Sequence, residues 1–296
     1  MSEAPSAPCT ESRSRATNPG DSAVTITSRD GIEVASVDHV LTVRIVRPER
    51  RNAVTPDQFS YIASICASAE RDDDVRVVVF TGTDDAFCAG ADLSDVDLSI
   101  SGGQIPALVP SGNVFVPILE LSKPLVGAIN GVAAGGGLGL ALCCDIRLAS
   151  ERARFATAFS RIGLTANDAV AWALPRIVGV AKALELIYIA RPIDAAEAER
   201  IGLVSYVYPH ETFATSVAEF VDSLLSAPPV GARFSKRLVH DGLGRSYRDH
   251  VMAQEYASLA NRVMAHHDIA EGIAAFNEKR PANFTGTNLR RRWDNY

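Results

Sequence analysis

Two glycine-bearing turns hold the residues best suited to chemistry. The first reads Ala86-Phe-Cys-Ala-Gly-Ala-Asp-Leu93 and the second Asn130-Gly-Val-Ala-Ala-Gly-Gly-Gly-Leu-Gly139. Each follows an apolar run of strand character and precedes a helical pattern. Turns of this kind leave backbone N–H groups unpaired and aim them at a bound anion or at an oxyanion forming during reaction. Glycine at 135–137 lets a ligand approach the backbone closely. A third feature is the carboxylate that ends the turn Gly163-Leu-Thr-Ala-Asn-Asp168. Asp168 can act as an acid/base, or it can serve as the N-cap of a helix through Ala171, Trp172 and Leu174. The acid/base role requires desolvation to raise its pKa, which the apolar Phe159, Ile162, Leu164 and Trp172 can supply. Ser160 and Thr165 offer hydroxyls to a polar ligand, and Asp95 and Asp97 open a Gly- and Pro-rich loop. The six histidines lie far in sequence from both turns, with no metal-ligand spacing.

The elements that must position these groups alternate between strand and helix. Ile32–Val37 and Val40–Val46 read as a hairpin around Asp38-His39. Thr55-Pro56-Asp57-Gln58 is a capping box with proline at the first helical position, which starts a helix running to about Arg71. Its face is Phe59, Ile62, Ile65 and Cys66. Val75–Thr81 and Leu125–Ile129 are continuous apolar runs, the mark of strands buried on both faces. Ile146–Ala149 is a further strand. From Asp168 onward the pattern is mostly helical, ending in two amphipathic stretches, about 246–265 and 268–279, on either side of His266-His267. Trp172 fits a core position.

The chain has 296 residues, 47% hydrophobic and 22% charged, enough to bury a sizeable core. A net charge of −6 argues against nucleic acid or an anionic membrane as the main partner. Five cysteines without paired spacing imply reduced thiols and a cytoplasmic location. Residues 125–144 are apolar over a long stretch, but Asn130 and the glycines break the run, which argues against a membrane span. Residues 1–30 are rich in Ser, Pro, Thr, Ala and Arg and read as a disordered tail. The expected organisation is that tail, a core over 31–225, a helical region over 226–286 and a short tail over 287–296.

Taken in order, the motifs resemble the crotonase superfamily, the enoyl-CoA hydratase/isomerase family. The resemblance runs over about residues 30–286. It is carried by Arg51-Asn-Ala-Val54, the two glycine turns, Lys123-Pro124, Cys144-Asp145, Leu174-Pro-Arg176, Gly202-Leu-Val204 and Glu271 through Arg280. It implies an α/β fold, the crotonase (ClpP-like) spiral of ββα repeats, with a C-terminal helical trimerisation region and a homotrimer or dimer of trimers. It also implies an acyl-CoA thioester as substrate, with no metal and no other cofactor. Matched by position, the thioester oxygen would lie between the amides of Ala91 and Gly136. Losing one such donor typically costs ~3–4 kcal/mol of transition-state stabilisation. Arg51, Ala53, Ala89, Ala91, Asp92, Leu93, Gly136 and Lys279 match positions that contact CoA. Asp92 can equally tie down its own turn, and Asp145 reads as structural.

The resemblance also exposes a departure. Hydratases of this family use two glutamates to activate water, and the matching positions here are Gly139 and Phe159. Neither can do acid/base work. Other branches place a single carboxylate near Asp168, although an ungapped count puts Asn167 at that position. The expected activity is therefore an isomerase-type proton or double-bond shift through a stabilised thioester enolate, with Asp168 as acid/base. The alternatives are other thioester chemistry, hydrolysis or dehalogenation, and an acyl-CoA-binding protein without catalysis.

Overall fold

The structure is a computed structural model that describes residues 25–92 and 114–286. In chain order the described elements begin with β1 (Thr25–Arg29), β2 (Ile32–Val37), β3 (Val40–Ile45), α1 (Pro56–Arg71), β4 (Val77–Gly82) and β5 (Ala86–Cys88). Next come α2 (Val116–Leu119), β6 (Leu125–Ile129), β7 (Val132–Ala134), α3 (Gly136–Leu142), β8 (Ile146–Ser150) and β9 (Arg154–Ala156). They are followed by α4 (Val170–Val178), α5 (Val180–Ile189), β10 (Ile193–Asp194), α6 (Ala195–Arg200) and β11 (Tyr206–Tyr208). Four helices end the chain: α7 (Phe213–Leu225), α8 (Pro229–Gly242), α9 (Tyr247–Met264) and α10 (His266–Glu278).

Local chemistry explains the first elements. Asp38 and His39 both adopt positive φ, +46° and +69°. That geometry suits a two-residue hairpin turn and sets Val37 opposite Val40. At the start of α1 the Thr55 hydroxyl accepts from Gln58 N–H at 3.3 Å, and the Gln58 side chain accepts from Thr55 N–H at 2.8 Å. The capping box is complete, and Phe59, Ile62, Ile65 and Cys66 on the inner face are all buried.

The strands divide between two sheets. The larger has the order β1-β2-β3-β4-β6-β8-β11, and the smaller β10-β9-β7-β5. In each of the pairs β4/β5, β6/β7 and β8/β9 the first strand joins the large sheet and the second the small one. A helix follows β7 and β9. This is the expected spiral of ββα units. β4 and β6 are buried on nearly every residue because one face meets the inner layer and the other meets α7 through Phe213 and Val221. The stretch 125–144 is cut into β6, β7 and α3, and among the described residues no helix is long and apolar enough to cross a membrane.

Two expectations need correction. Residues 25–29, assigned to the disordered tail over 1–30, form β1, which pairs antiparallel with β2 from Ile26↔Ala35 to Arg29↔Ile32. The alternation of polar and apolar residues in Thr25-Ile-Thr-Ser-Arg29 is too short to stand out without the neighbouring strand. Trp172 is not a core residue. It is about half exposed, with the Arg176 guanidinium 4.3 Å from its ring centroid.

The helical region is tied to the core by charge. Asp145 Oδ2 accepts from Leu125 N–H at 2.8 Å and pairs with Lys236 Nζ at 2.7 Å, and Asp145 Oδ1 lies 3.6 Å from His240 Nε2. Arg233 reaches Glu70 at 2.7 Å and the Ser122 hydroxyl at 2.8 Å. Burial opposes the charge on Asp145, but its bonds to His240, Lys236 and Leu125 N–H outweigh this and hold its pKa below the usual carboxylate range. A depressed folded-state pKa stabilises the fold above the unfolded value, and that contribution is lost as pH falls through the folded value. Asp145→Asn should therefore destabilise the protein by about 3 kcal/mol at pH 7. In denaturant titrations the gap from wild type should narrow as the pH is lowered. A constant gap at all pH values would contradict this reading.

Candidate active site

The first glycine turn is held by residues 51–54. Val54 N–H donates to Gly90 O at 2.9 Å, Asp92 N–H donates to Val54 O at 2.9 Å, and Ala89 N–H donates to Arg51 O at 3.1 Å. This short ladder sets Ala91 opposite Val54 as an isolated parallel bridge. The Ala91 amide lies between the bonded positions and is not used in the ladder. Gly90 has φ +106°, and a Cβ there would lie 2.8 Å from Ala134 O and 3.3 Å from Gly136 N. Only glycine allows the two turns to approach this closely.

The second turn leads into α3. Gly135 has φ +52° and donates its N–H to Ala156 O at 3.0 Å, and Gly136 is the first helical residue. A first-turn N–H has no acceptor within its own helix, so the Gly136 amide is available. The amides of Ala91 and Gly136 thus sit on two adjoining turns, as the arrangement for an oxyanion requires.

Asp168 completes the cluster. Its Oδ2 lies 3.0 Å from the position of a Cβ on Gly136, and Phe59 Cζ lies 3.2 Å from that same point. Asp168 does not cap α4. The capping residue is Ala169, with φ +66° and no side-chain cap bond. Among the described residues no hydrogen bond or ion pair to the Asp168 carboxylate is found. Burial raises its pKa above the ordinary aspartate value. The source of that burial differs from expectation. Phe159 is buried, but Ile162, Leu164 and Trp172 are each about half exposed. The carboxyl is crowded from the α3 side, where Phe59 of α1 reaches over.

The other sequence candidates separate. Asn167 is exposed and its carbonyl accepts from Val170 N–H at 2.8 Å, so it is not the inward group. Asp92 is buried with Oδ2 3.1 Å from Arg47 Nη2, which ties the 47–54 segment to the first turn. Arg51 and Ala53 line that segment, and Ala89 belongs to the turn itself. The Ser160 hydroxyl bonds to Ile187 O. Lys279 is exposed and ends α10 with φ +54°, its N–H bonded within the same helix end. Leu93, Asp95 and Asp97 lie outside the described residues. The sequence reading missed Arg47 as the partner of Asp92, because the two are separated by 45 positions and meet only through the bridge.

Comparison with known proteins places the chain in a family. A family model described as enoyl-CoA hydratase/isomerase matches residues 36–287. The chain belongs to the enoyl-CoA hydratase/isomerase family. The 1,2-epoxyphenylacetyl-CoA isomerase of Escherichia coli is 32% identical over 252 residues, which covers 83% of this chain and 95% of that one. The crotonyl-CoA hydratase of Syntrophomonas wolfei is 34% identical over 257 residues, which covers 86% and 98%. The solved enoyl-CoA hydratase of Bacillus anthracis superposes with a TM-score of 0.78 at 29% identity, covering 87% of this chain and all of that one. Family membership and the crotonase fold are thereby established. Relatives of similar identity bear both isomerase and hydratase names.

A carboxylate with a raised pKa and no compensating partner opposes folding when it ionises. Its folded-state stability is complete below the unfolded pKa and is lost as pH rises through the folded value. Asp168→Asn removes this penalty, and asparagine tolerates the left-handed φ of +49°. The variant should melt about 2 °C higher than wild type at pH 7, with the gap closing near pH 3.5. A lower melting temperature at pH 7 would show that the charge is compensated.

Proposed function

We propose that this family member is an isomerase-type enzyme, moving a proton or a double bond within an acyl-CoA thioester. The thioester oxygen takes the Ala91 and Gly136 N–H groups. These stabilise negative charge on oxygen as the Asp168 carboxylate removes a proton from carbon beside or conjugated to the carbonyl. The enolate then takes a proton from the Asp168 carboxyl at a different carbon, after that carboxyl has exchanged its proton with solvent, which leaves the enzyme unchanged and the product isomeric with the substrate. The observation that carries the reading is the Asp168 carboxyl standing over Gly136, desolvated and free of any capping duty. The glycine at 139 and the phenylalanine at 159 leave no glutamate pair for water addition. Similarity to the Escherichia coli protein named as an isomerase supports this reading. The hydratase names among the other relatives make direct comparison of the two reactions the proper test.

That test is incubation with 2-enoyl-, 3-enoyl- and aryl-CoA thioesters in D2O, followed by mass spectrometry. The expected products are deuterated thioesters with a shifted double bond. Rapid addition of water to crotonyl-CoA would overturn the proposal. In the same assay Asp168→Asn should lower kcat by roughly 10²–10⁴-fold with little change in CoA affinity.

The assembly follows from the exposed helices. Tyr256, Leu259 and Val263 on α9 and Ile273 and Phe276 on α10 are all more than half exposed. A trimer, alone or paired with a second trimer, would cover these side chains. Sedimentation at micromolar concentration should give a multiple of three chains of 31.6 kDa. A monomer would remove this part of the proposal.

A further inference from the structure

Position 139 has no room for any side chain. A Cβ built there would lie 1.9 Å from the carbonyl oxygen of Asp168, 3.0 Å from its carbonyl carbon and 3.3 Å from its Cβ. The obstacle is backbone, which cannot swing aside as the end of a side chain can. That backbone is fixed from both sides. Val170 N–H donates to Asn167 O at 2.8 Å, and the N–H groups of Trp172 and Ala173 donate to Ala169 O at 3.2 and 2.8 Å. These bonds straddle residue 168 and leave its carbonyl facing α3.

The segment is also of unusual shape. Asp168 and Ala169 are both left-handed, at φ +49° and +66°. Unlike Asp38-His39, this pair does not sit between two paired strands, and a left-handed alanine persists only where surrounding structure holds it. The Cα–H of Gly139, facing the Asp168 carbonyl oxygen, is part of that hold. All seven residues of α3 are buried, so the helix cannot retreat to make space.

We infer that Gly139 is a positioning residue for the Asp168 carboxyl, because its missing Cβ lets the backbone of residue 168 rest on α3 and sets the carboxyl over Gly136. The inference rests on the isomerase-type reading for what the carboxyl does. It adds the reason that one carboxylate replaces another. A glutamate projecting from α3 at 139 and Asp168 in its present place exclude each other. Position 139 therefore selects which chemistry this scaffold can carry, and adding back a glutamate there would dislodge Asp168 rather than supplement it.

The test uses Gly139→Ala, Asp168→Asn, their double variant, and the swap Asn167→Asp with Asp168→Asn. Each is assayed for deuterium exchange into a thioester substrate, for the acidic limb of its pH–rate profile, and for affinity toward an unreactive CoA thioether. Gly139→Ala should lower kcat by roughly 10²-fold, the scale of a misplaced catalytic group. The thioether affinity should stay within about threefold, and the acidic limb should move down toward the ordinary aspartate value as the carboxyl gains water. Added to Asp168→Asn, the same change should cost less than about threefold more, since both act through one group. Wild-type kcat and an unmoved pH limb in Gly139→Ala would overturn the inference. So would a full second loss in the double variant, which would place the fault in α3 itself. The swap leaves 139 intact and should remain as slow as Asp168→Asn. Recovery of activity in the swap would overturn the inference even if Gly139→Ala failed to assemble. If Asp168→Asn keeps wild-type kcat, the isomerase reading fails. If it slows the enzyme and Gly139→Ala does not, the positioning inference alone fails.

Discussion

Close backbone contact at α3 is the constraint on which the site depends. Two chain segments, the first glycine turn and the 167–169 turn, meet this short helix with no side chain between them. The first turn presses in at Gly137, where a Cβ would lie 2.0 Å from Cys88 O, and the 167–169 turn presses in at Gly139. The first turn also meets the start of the same helix, through Gly90. Side chains at these points would separate the segments by at least the width of a methyl group. In the proposed mechanism the Ala91 and Gly136 amides would then no longer meet one thioester oxygen, and the Asp168 carboxyl would no longer stand over Gly136. The glycine-rich composition of 135–139 thus serves packing and chemistry together.

The two sheets supply the rigidity that this contact needs. β5, β7 and β9 are only three residues long, but each is continued from a buried strand of the large sheet. Asparagines fix the corners of the first two pairs, β4/β5 and β6/β7. Asn130 accepts from Gly82 N–H at 3.0 Å and donates to Ala86 O at 3.0 Å, while Asn52 donates to Thr83 O at 2.9 Å and Ala86 O at 2.6 Å. Amides whose N–H donors are both used, as in buried Asn52 and half-buried Asn130, allow little angular freedom. The glycine turns that follow these corners inherit their positions from them.

Much of this was legible in the sequence, for identifiable reasons. The capping box at Thr55, the buried run Leu125–Ile129 and the hairpin at Asp38-His39 are local signals, and each appears at its expected place. The glycine turns were legible because glycine at such density has few other uses. What remained hidden depends on distant partners. Thr25, inside the expected tail, begins β1, which exists only through its pairing with β2. The capping role open to Asp168 could not be dismissed until the chain was seen to turn left-handed at 168 and 169, which moves the cap to Ala169. The absence of a carboxylate at 139 was visible in the sequence, whereas the steric reason for it was not.

The central claim is that one thioester oxygen meets two backbone amides while one carboxyl faces the adjacent carbon. A crystal structure with an unreactive acyl-CoA analogue that keeps its carbonyl tests this directly. The account predicts the carbonyl oxygen within ~3 Å of both Ala91 N and Gly136 N, and an Asp168 oxygen within ~3.5 Å of the carbon that exchanges its proton. A carbonyl bound away from either amide, or an Asp168 side chain turned to solvent beside a correctly bound analogue, would contradict it.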